Sequence, residues 1–181
     1  YLLGLLYDKP MDRIRVHGEA EKLLALDEHL FSQFLFPVRP PFAWCPLADP
    51  VTLPDGGLVR WFPLRHPGGA VGYRIDWPQR SLAYVTDATA GSDASYLDEI
   101  RNVDLLVHEC FFPDGWEERA EFTGHSCLTP VAHVARQSGA RRLVLVHINP
   151  LAREPDPFGV ASVREIFAET LIGQDGLVVE F

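Results

Sequence analysis

The chain has 181 residues, a length suited to one compact domain, and 47% of them are hydrophobic, enough to bury a core and to exclude a disordered polypeptide. Sixteen Lys and Arg stand against 25 Asp and Glu, a formal charge of −9 and an isoelectric point near 5.2, which argues against a general binder of polyanions. No window approaches the ~20 apolar residues of a membrane helix and no secretory signal pattern occurs, so the expectation is a soluble, cytoplasmic protein.

In chain order, the sequence opens at Tyr1 without a methionine and enters an apolar stretch of helical character, Tyr1 to Tyr7, with no capping signal; it reads as a piece of a longer chain. Asp12 to Val16 is a short β-type segment, and Gly18 leads into an expected amphipathic helix over Glu19 to Phe34 on the spacing of Leu23, Leu26 and Leu30. Prolines are dense from Phe36 to Pro54, which predicts a long connection. After the turn signal Asp55-Gly56-Gly57, three β-type runs, Leu58 to Leu64, Ala70 to Ile75 and Ser81 to Thr86, predict a meander. A short helix is expected over Ala94 to Arg101, and continuous apolar strands over Asp104 to Cys110 and Arg141 to His147. Between those strands Thr129, Pro130 and Gly139 mark the start and stop of a helix, with Val131, Val134 and Ala135 on its apolar face. A last helix over Ala161 to Leu171 and a strand over Leu177 to Phe181 complete a layered α/β arrangement in a single domain spanning residues 1–181. Cys45, Cys110 and Cys127, odd in number and without C-x-x-C spacing, are read as free thiols.

Chemistry becomes legible where polar residues end apolar strands. His66 follows Trp61–Arg65, Asp87 follows Leu82–Thr86, His108-Glu109 closes Leu105–Val107, and His147 closes Leu143–Val146. Strand ends are where a rigid scaffold presents groups to a shared cleft. Each histidine alone is ordinarily a hydrogen-bonded structural residue; their recurrence in one context points to imidazole and carboxylate metal ligands, with Asp87 suited to bridge two ions. His17, His29 and His133 lie in helix or strand contexts that favour surface roles. Cys127, two residues after His125, is not read as a nucleophile, and Gly68-Gly69 is read as a turn.

Five blocks in order, namely His66 with Gly72-Tyr73-Arg74-Ile75, Tyr84–Thr89, Leu105–Glu109, Gly124-His125-Ser126 and Leu143–His147, resemble the metallo-β-lactamase-fold hydrolases, most closely the ribonuclease Z-like branch. The resemblance implies a metallo-β-lactamase-type αββα sandwich, here incomplete because its N-terminal part is missing. In that family an H-x-H-x-D-H motif runs into a helix with a Gly-Leu pair; Gly4-Leu5 matches the helix, and the motif would fall before Tyr1. It also implies two divalent metal ions, zinc first with manganese and iron also suited, with His66 on one ion, His147 on the other and Asp87 on both. His125 is implied to act on the scissile phosphate or leaving oxygen and Glu109 to orient it, with the imidazole pKa raised by the carboxylate. The alternatives are that His125 caps the helix near Thr129 and that Glu109 is a solvated strand end. The implied reaction is phosphodiester hydrolysis by a metal-bound hydroxide at a binuclear site.

Two protein ligands per ion fall short of the three usual in zinc hydrolases, so this chain alone is expected to bind metal weakly and hydrolyse little. Where the family commonly has Ser-Pro-Arg-Tyr after the last histidine, this chain has Ile148-Asn149-Pro150-Leu151, and it shows no basic tRNA-gripping arm; Arg136, Arg141 and Arg142 are the nearest basic cluster. The phosphodiester substrate is therefore left open between RNA and a small molecule. Hydrolysis of a lactone, thioester or sulfate ester, and a metal-free interaction subunit, stand as alternative functions, and a homodimer is a candidate assembly.

Overall fold

The structure, a computed structural model, describes residues 14–48, 50–152 and 154–181. The expected N-terminal helix, Gly4-Leu5 and the first two residues of the Asp12 to Val16 strand lie outside the described residues. The chain divides into two compact units between Asp49 and Pro50.

In the first unit, β1 (Arg15–Gly18) pairs in parallel with β2 (Ala43–Pro46), Val16 opposite Trp44. Between them α1 (Ala20–Ala25) continues into a wider helical turn over Leu26–Leu30. The helix stops short of Phe34, and of the three spaced leucines only Leu23 is buried, so Leu30 contributes no core contact at 49% exposed. A cluster of Phe31, Phe36, Phe42 and Trp44 follows, with the Trp44 indole N–H donating to Asp27 Oδ1 at 2.8 Å. The proline-rich stretch thus contains β2, and β3 (Val51–Thr52) opens the second unit, where a plain connection is expected.

The second unit is built on a seven-stranded sheet in sequence order. β4 (Leu58–Leu64), β5 (Ala70–Asp76) and β6 (Ser81–Val85) form the expected antiparallel meander, and β7 (Leu105–Glu109), β8 (Arg142–Val146) and β9 (Thr170–Ile172) add in parallel. Gly72 pairs with Phe62 across the meander, and a Cβ there would come within 2.3 Å of the Phe62 ring, so the ring lies over the glycine. Because β5 runs against both neighbours, β4 and β6 point the same way as β7 and β8. Four carboxyl ends therefore share one edge of the sheet.

α2 (Glu117–Thr123) and α3 (Leu128–Ser138) precede β8. α3 buries Leu128, Val131, Val134 and Ala135 in one core with Phe62, Val85, Leu106, Leu143 and Leu145, and ends at Gly139 in the left-handed region, as the sequence predicts. Thr129 does not cap it: the helix starts at Leu128, and the Thr129 hydroxyl donates to Asp114 Oδ2 at 2.7 Å. Two expected helices are turns instead. Ala94 to Arg101 is held mostly by i→i−3 bonds while Tyr96 and Ile100 enter the core, a segment too short for helix propagation to repay nucleation. Ala161 to Leu171 keeps only a 3₁₀ turn, Val160–Val163, because Thr170–Ile172 is drawn into the sheet beside β8. The strand expected over Leu177 to Phe181 does not form.

Candidate metal centre at the carboxyl edge

The shared edge brings the predicted residues together. His66 lies just past β4 and Asp87 just past β6; Glu109 is the last residue of β7, and His147 directly follows β8. In sheets of this kind ligands bind at the carboxyl ends of parallel strands. Asp87 and His147 both have φ in the left-handed region, 56° and 53°, a conformation unfavourable for residues with a Cβ by about 1–2 kcal/mol. Such strain at strand ends accompanies functional sites, because regular backbone cannot place these side chains there.

Asp87 Oδ1 lies 3.9 Å from His66 Nε2 and 3.9 Å from His147 Nδ1. Both gaps exceed a hydrogen bond, yet two ligand atoms each about 2.1 Å from one ion can be as far as about 4.2 Å apart. His66 is oriented from behind: its Nδ1–H donates to Gly124 O at 3.0 Å, which fixes the tautomer and leaves the Nε2 lone pair toward Asp87. Gly124 has φ +79°, and a Cβ there would meet Pro67 Cδ at 2.5 Å and His66 Nδ1 at 2.7 Å. The turn after His66 closes with Gly69 N–H donating to His66 O at 2.8 Å, with Gly68 in the left-handed region, as expected of the glycine pair.

Glu109 is fully buried, not a solvated strand end. Oε1 accepts from Ala88 N–H at 2.6 Å, Oε2 from Ser126 N–H at 3.3 Å, and both oxygens are 3.1–3.2 Å from His125 Nδ1–H. His147 Nδ1 is 4.0 Å from Oε2. Burial pushes the Glu109 carboxyl up to about 7, offset in part by the Ala88 hydrogen bond and the nearby His147. Burial, then the neighbouring His66, lowers the His125 pKa, opposite to the rise the sequence reading expects from a carboxylate partner. Desolvation outweighs the pair's attraction, so the metal-free pair favours neutral forms. His125 does not cap α3; one ring nitrogen lies within 4.8 Å of ligand atoms of His66 and Asp87, and likewise of Glu109 and His147.

Ser126, quoted in the sequence but given no role there, proves central. Its hydroxyl donates to Ala88 O at 2.6 Å and accepts from Ala90 N–H at 2.9 Å, so Ser126 and Glu109 together clamp the loop that follows Asp87. His108, grouped with Glu109 in the sequence, points away: it is fully buried, Nε2 accepting from Tyr96 O–H at 2.8 Å and Nδ1–H donating to Glu109 O at 2.7 Å, and burial lowers its pKa to about 4. Cys110 and Cys127 are buried free thiols with raised pKa values, unsuited to nucleophilic attack.

Comparison with known proteins identifies the fold and the family. Ribonuclease Z of Salinibacter ruber is 40% identical over 121 residues, 67% of this chain and 34% of that protein. The chain spans about a third to a half of the length of the curated relatives it matches. Among solved structures, the metallo-β-lactamase fold protein YhfI from Bacillus subtilis superposes with a TM-score of 0.76 at 18% identity, covering 97% of this chain and 67% of that one. Zn(2+)-bound PqqB from Methylobacterium extorquens gives 0.67 at 19% identity, covering 99% and 68%. The family described as the beta-lactamase superfamily domain matches residues 8–148. Since that match runs through most of the sequence, the chain belongs to the β-lactamase superfamily.

Proposed function

We propose that this chain supplies one side of the active site of a metal-dependent hydrolase, a phosphodiesterase of the ribonuclease Z type, within one domain that includes residues 1–181. The observation that carries the reading is Asp87 Oδ1 at 3.9 Å from both His66 Nε2 and His147 Nδ1. The donor set of two imidazoles and a carboxylate suits zinc, and manganese or iron as well: His66 would hold one ion, His147 the second and Asp87 both. Bound there, the ions would supply positive charge for the developing phosphorane oxygens and lower the pKa of water. The chain's own residues do the rest. Gly124 O holds the His66 tautomer, and the Glu109 carboxylate accepts a hydrogen bond from His125 Nδ1–H, which orients the ring; in the imidazolium form the other ring nitrogen would deliver its proton to the leaving oxygen and keep Nδ1–H on Glu109. The Phe111 ring, stacked on His125 at 5.0 Å and 21°, keeps water from that face of the imidazole.

With two ligands per ion from the described residues, metal affinity is expected to be modest and turnover to need further ligands from an upstream H-x-H-x-D-H segment. Equilibrium dialysis of the 181-residue chain against zinc tests the donor set. Asp87→Ala should lower affinity by more than about 100-fold, and His66→Ala and His147→Ala should each remove one ion. Undiminished metal content in Asp87→Ala overturns the assignment. A chain extended upstream to include the motif should hydrolyse bis(p-nitrophenyl) phosphate when loaded with zinc or manganese; turnover of carboxylic esters alone would move the reaction to another ester class.

A further inference from the structure

His125 stands where the two halves of the strand-end cluster meet, its ring centroid 5.1 Å from that of His66 and 5.1 Å from that of His147. A ring nitrogen of His125, a ring nitrogen of His66 and a carboxylate oxygen of Asp87 all lie within 4.8 Å of one another. Each of these two imidazoles is held from behind by a hydrogen bond at Nδ1. His125 Nδ1–H is shared between the Glu109 oxygens at 3.1 and 3.2 Å, and His66 Nδ1–H goes to Gly124 O, the carbonyl of the residue before His125. Phe111, stacked on the His125 ring at 5.0 Å and 21°, keeps that ring from turning away. A histidine whose Nδ1–H is given to a carboxylate or a backbone carbonyl presents the lone pair of Nε2, and this is how metal-binding histidines are ordinarily held. The side chains of His66, Asp87 and His125 are 19%, 40% and 16% exposed, so a position on the solvent side stays open.

We propose that His125 is a metal ligand of this chain, completing with His66 and Asp87 a three-ligand site for one zinc ion. The third ligand brings that ion to the number usual in zinc hydrolases and leaves His147 beside Asp87 for a second. Two ligand atoms about 2.1 Å from one ion are at most about 4.2 Å apart, so any pair of the three that stands wider closes by side-chain rotation on binding. The other grouping within the same reach, Glu109 with His125 and His147, is the poorer one. Glu109 is fully buried and its oxygens already accept from Ala88 N–H, Ser126 N–H and His125, so an ion there would displace the bonds that hold the loop after Asp87. Ligation and the acid role proposed for His125 exclude each other, because a ring nitrogen bound to an ion carries no proton. In the 181-residue chain the ion holds His125, and ligands supplied from upstream would release it to the leaving oxygen. The site rests on the metal centre proposed above and not on which bond that centre hydrolyses.

Zinc titration of the 181-residue chain, isotope-labelled at its histidine nitrogens and followed by magnetic resonance, reads the ligands directly. The first equivalent should move the Nε2 signals of His66 and His125 together, ahead of any signal of His147, and leave both Nδ1–H signals in place. In competition with a chromophoric chelator, His125→Gln should bind the first ion more than about 100-fold more weakly, beyond the loss of about 10- to 100-fold that follows removal of an outer hydrogen-bond partner. His133→Gln, at an exposed histidine of α3, should bind as the wild type does. The wild-type spectrum decides the matter even if His125→Gln does not fold. Zinc that moves His66 and His147 while His125 keeps a free Nε2 overturns the ligand and leaves the metal centre standing, as does unchanged first-ion affinity in His125→Gln. No uptake of zinc overturns both.

Discussion

Two neighbouring residues on β7, His108 and Glu109, are equally withdrawn from solvent and belong to regions of opposite character. His108 faces the core beneath the sheet, where Tyr96 and the Glu109 carbonyl use both its ring nitrogens. Glu109 faces the open edge, where its carboxylate gathers Ala88, Ser126 and His125 and approaches His147. Burial alone therefore does not tell a structural ionisable group from one that serves a site. What separates them is where the partners lie: one closed pair inside the core, against a network whose other members reach the strand ends.

Gly124→Ala should break the edge and spare the core. The new methyl meets Pro67 and His66 at 2.5 and 2.7 Å and must adopt φ +79°, so overpacking and backbone strain together should cost about 4 kcal/mol in chemical denaturation. Gly68→Ala is the control. It has φ +83° and nothing within 4 Å, and should lose only about 1–2 kcal/mol. Equal losses would show that the close approach to His66 is absent.

The pH dependence of the metal-free chain should sharpen the comparison, because the two residues have opposite linkage. The Glu109 pKa rises from 4.5 to about 7 on folding, so between those values only the folded state holds the proton, and stability falls as pH rises. The His108 pKa drops from 6.5 to about 4, so between those values only the unfolded state holds the proton, and stability is lost as pH falls. In the overlap the two slopes oppose, each representing about 3 kcal/mol over its full window. Urea midpoints from pH 4.5 to 6.5 should rise only gently with pH in the wild type, where the lowered His125 adds to His108 against Glu109, and rise steeply in Glu109→Gln. In His108→Gln they should fall with pH, less steeply than Glu109 alone would dictate, because the lowered His125 still acts in the opposite sense. Parallel profiles for the two variants would contradict the division between core and edge.

Most of the edge is legible in the sequence because it sits at the ends of elements with strong signals. β4, β6, β7 and β8 are runs of apolar residues, and each delivers its polar terminus to the same side whatever the exact boundary. The parts that escaped have weak or misleading periodicity. α2 reads Glu-Glu-Arg-Ala-Glu-Phe-Thr and buries only Ala120, so it has no apolar stripe to detect. Residues 161–171 carry helix-like spacing, yet pairing with Leu143 draws Thr170 into the sheet. Ser126 acts through backbone partners at Ala88 and Ala90, 38 and 36 residues away, which no local pattern encodes. The place of Phe111 is equally hidden, since Phe111-Phe112 in a sequence looks like core.

The smallest expected effect runs against intuition. Asp87 holds φ at 56° and its side chain is 40% exposed, so the chain retains a strained residue at the most accessible point of the edge with little packing in return. Asp87→Gly removes the Cβ that makes the conformation unfavourable, and the metal-free variant should be more stable by about 1 kcal/mol, a rise in melting temperature of about 2–4 °C. The same change removes the oxygen facing His66 and His147, so added zinc, which should raise the melting temperature of the wild type, should leave the variant unmoved. His108→Gln offers the contrast: its backbone is unstrained and its ring satisfied, so it should lose stability without losing the response to zinc. A variant at Asp87 that is both less stable and still zinc-responsive would place the strain at this strand end outside any metal site.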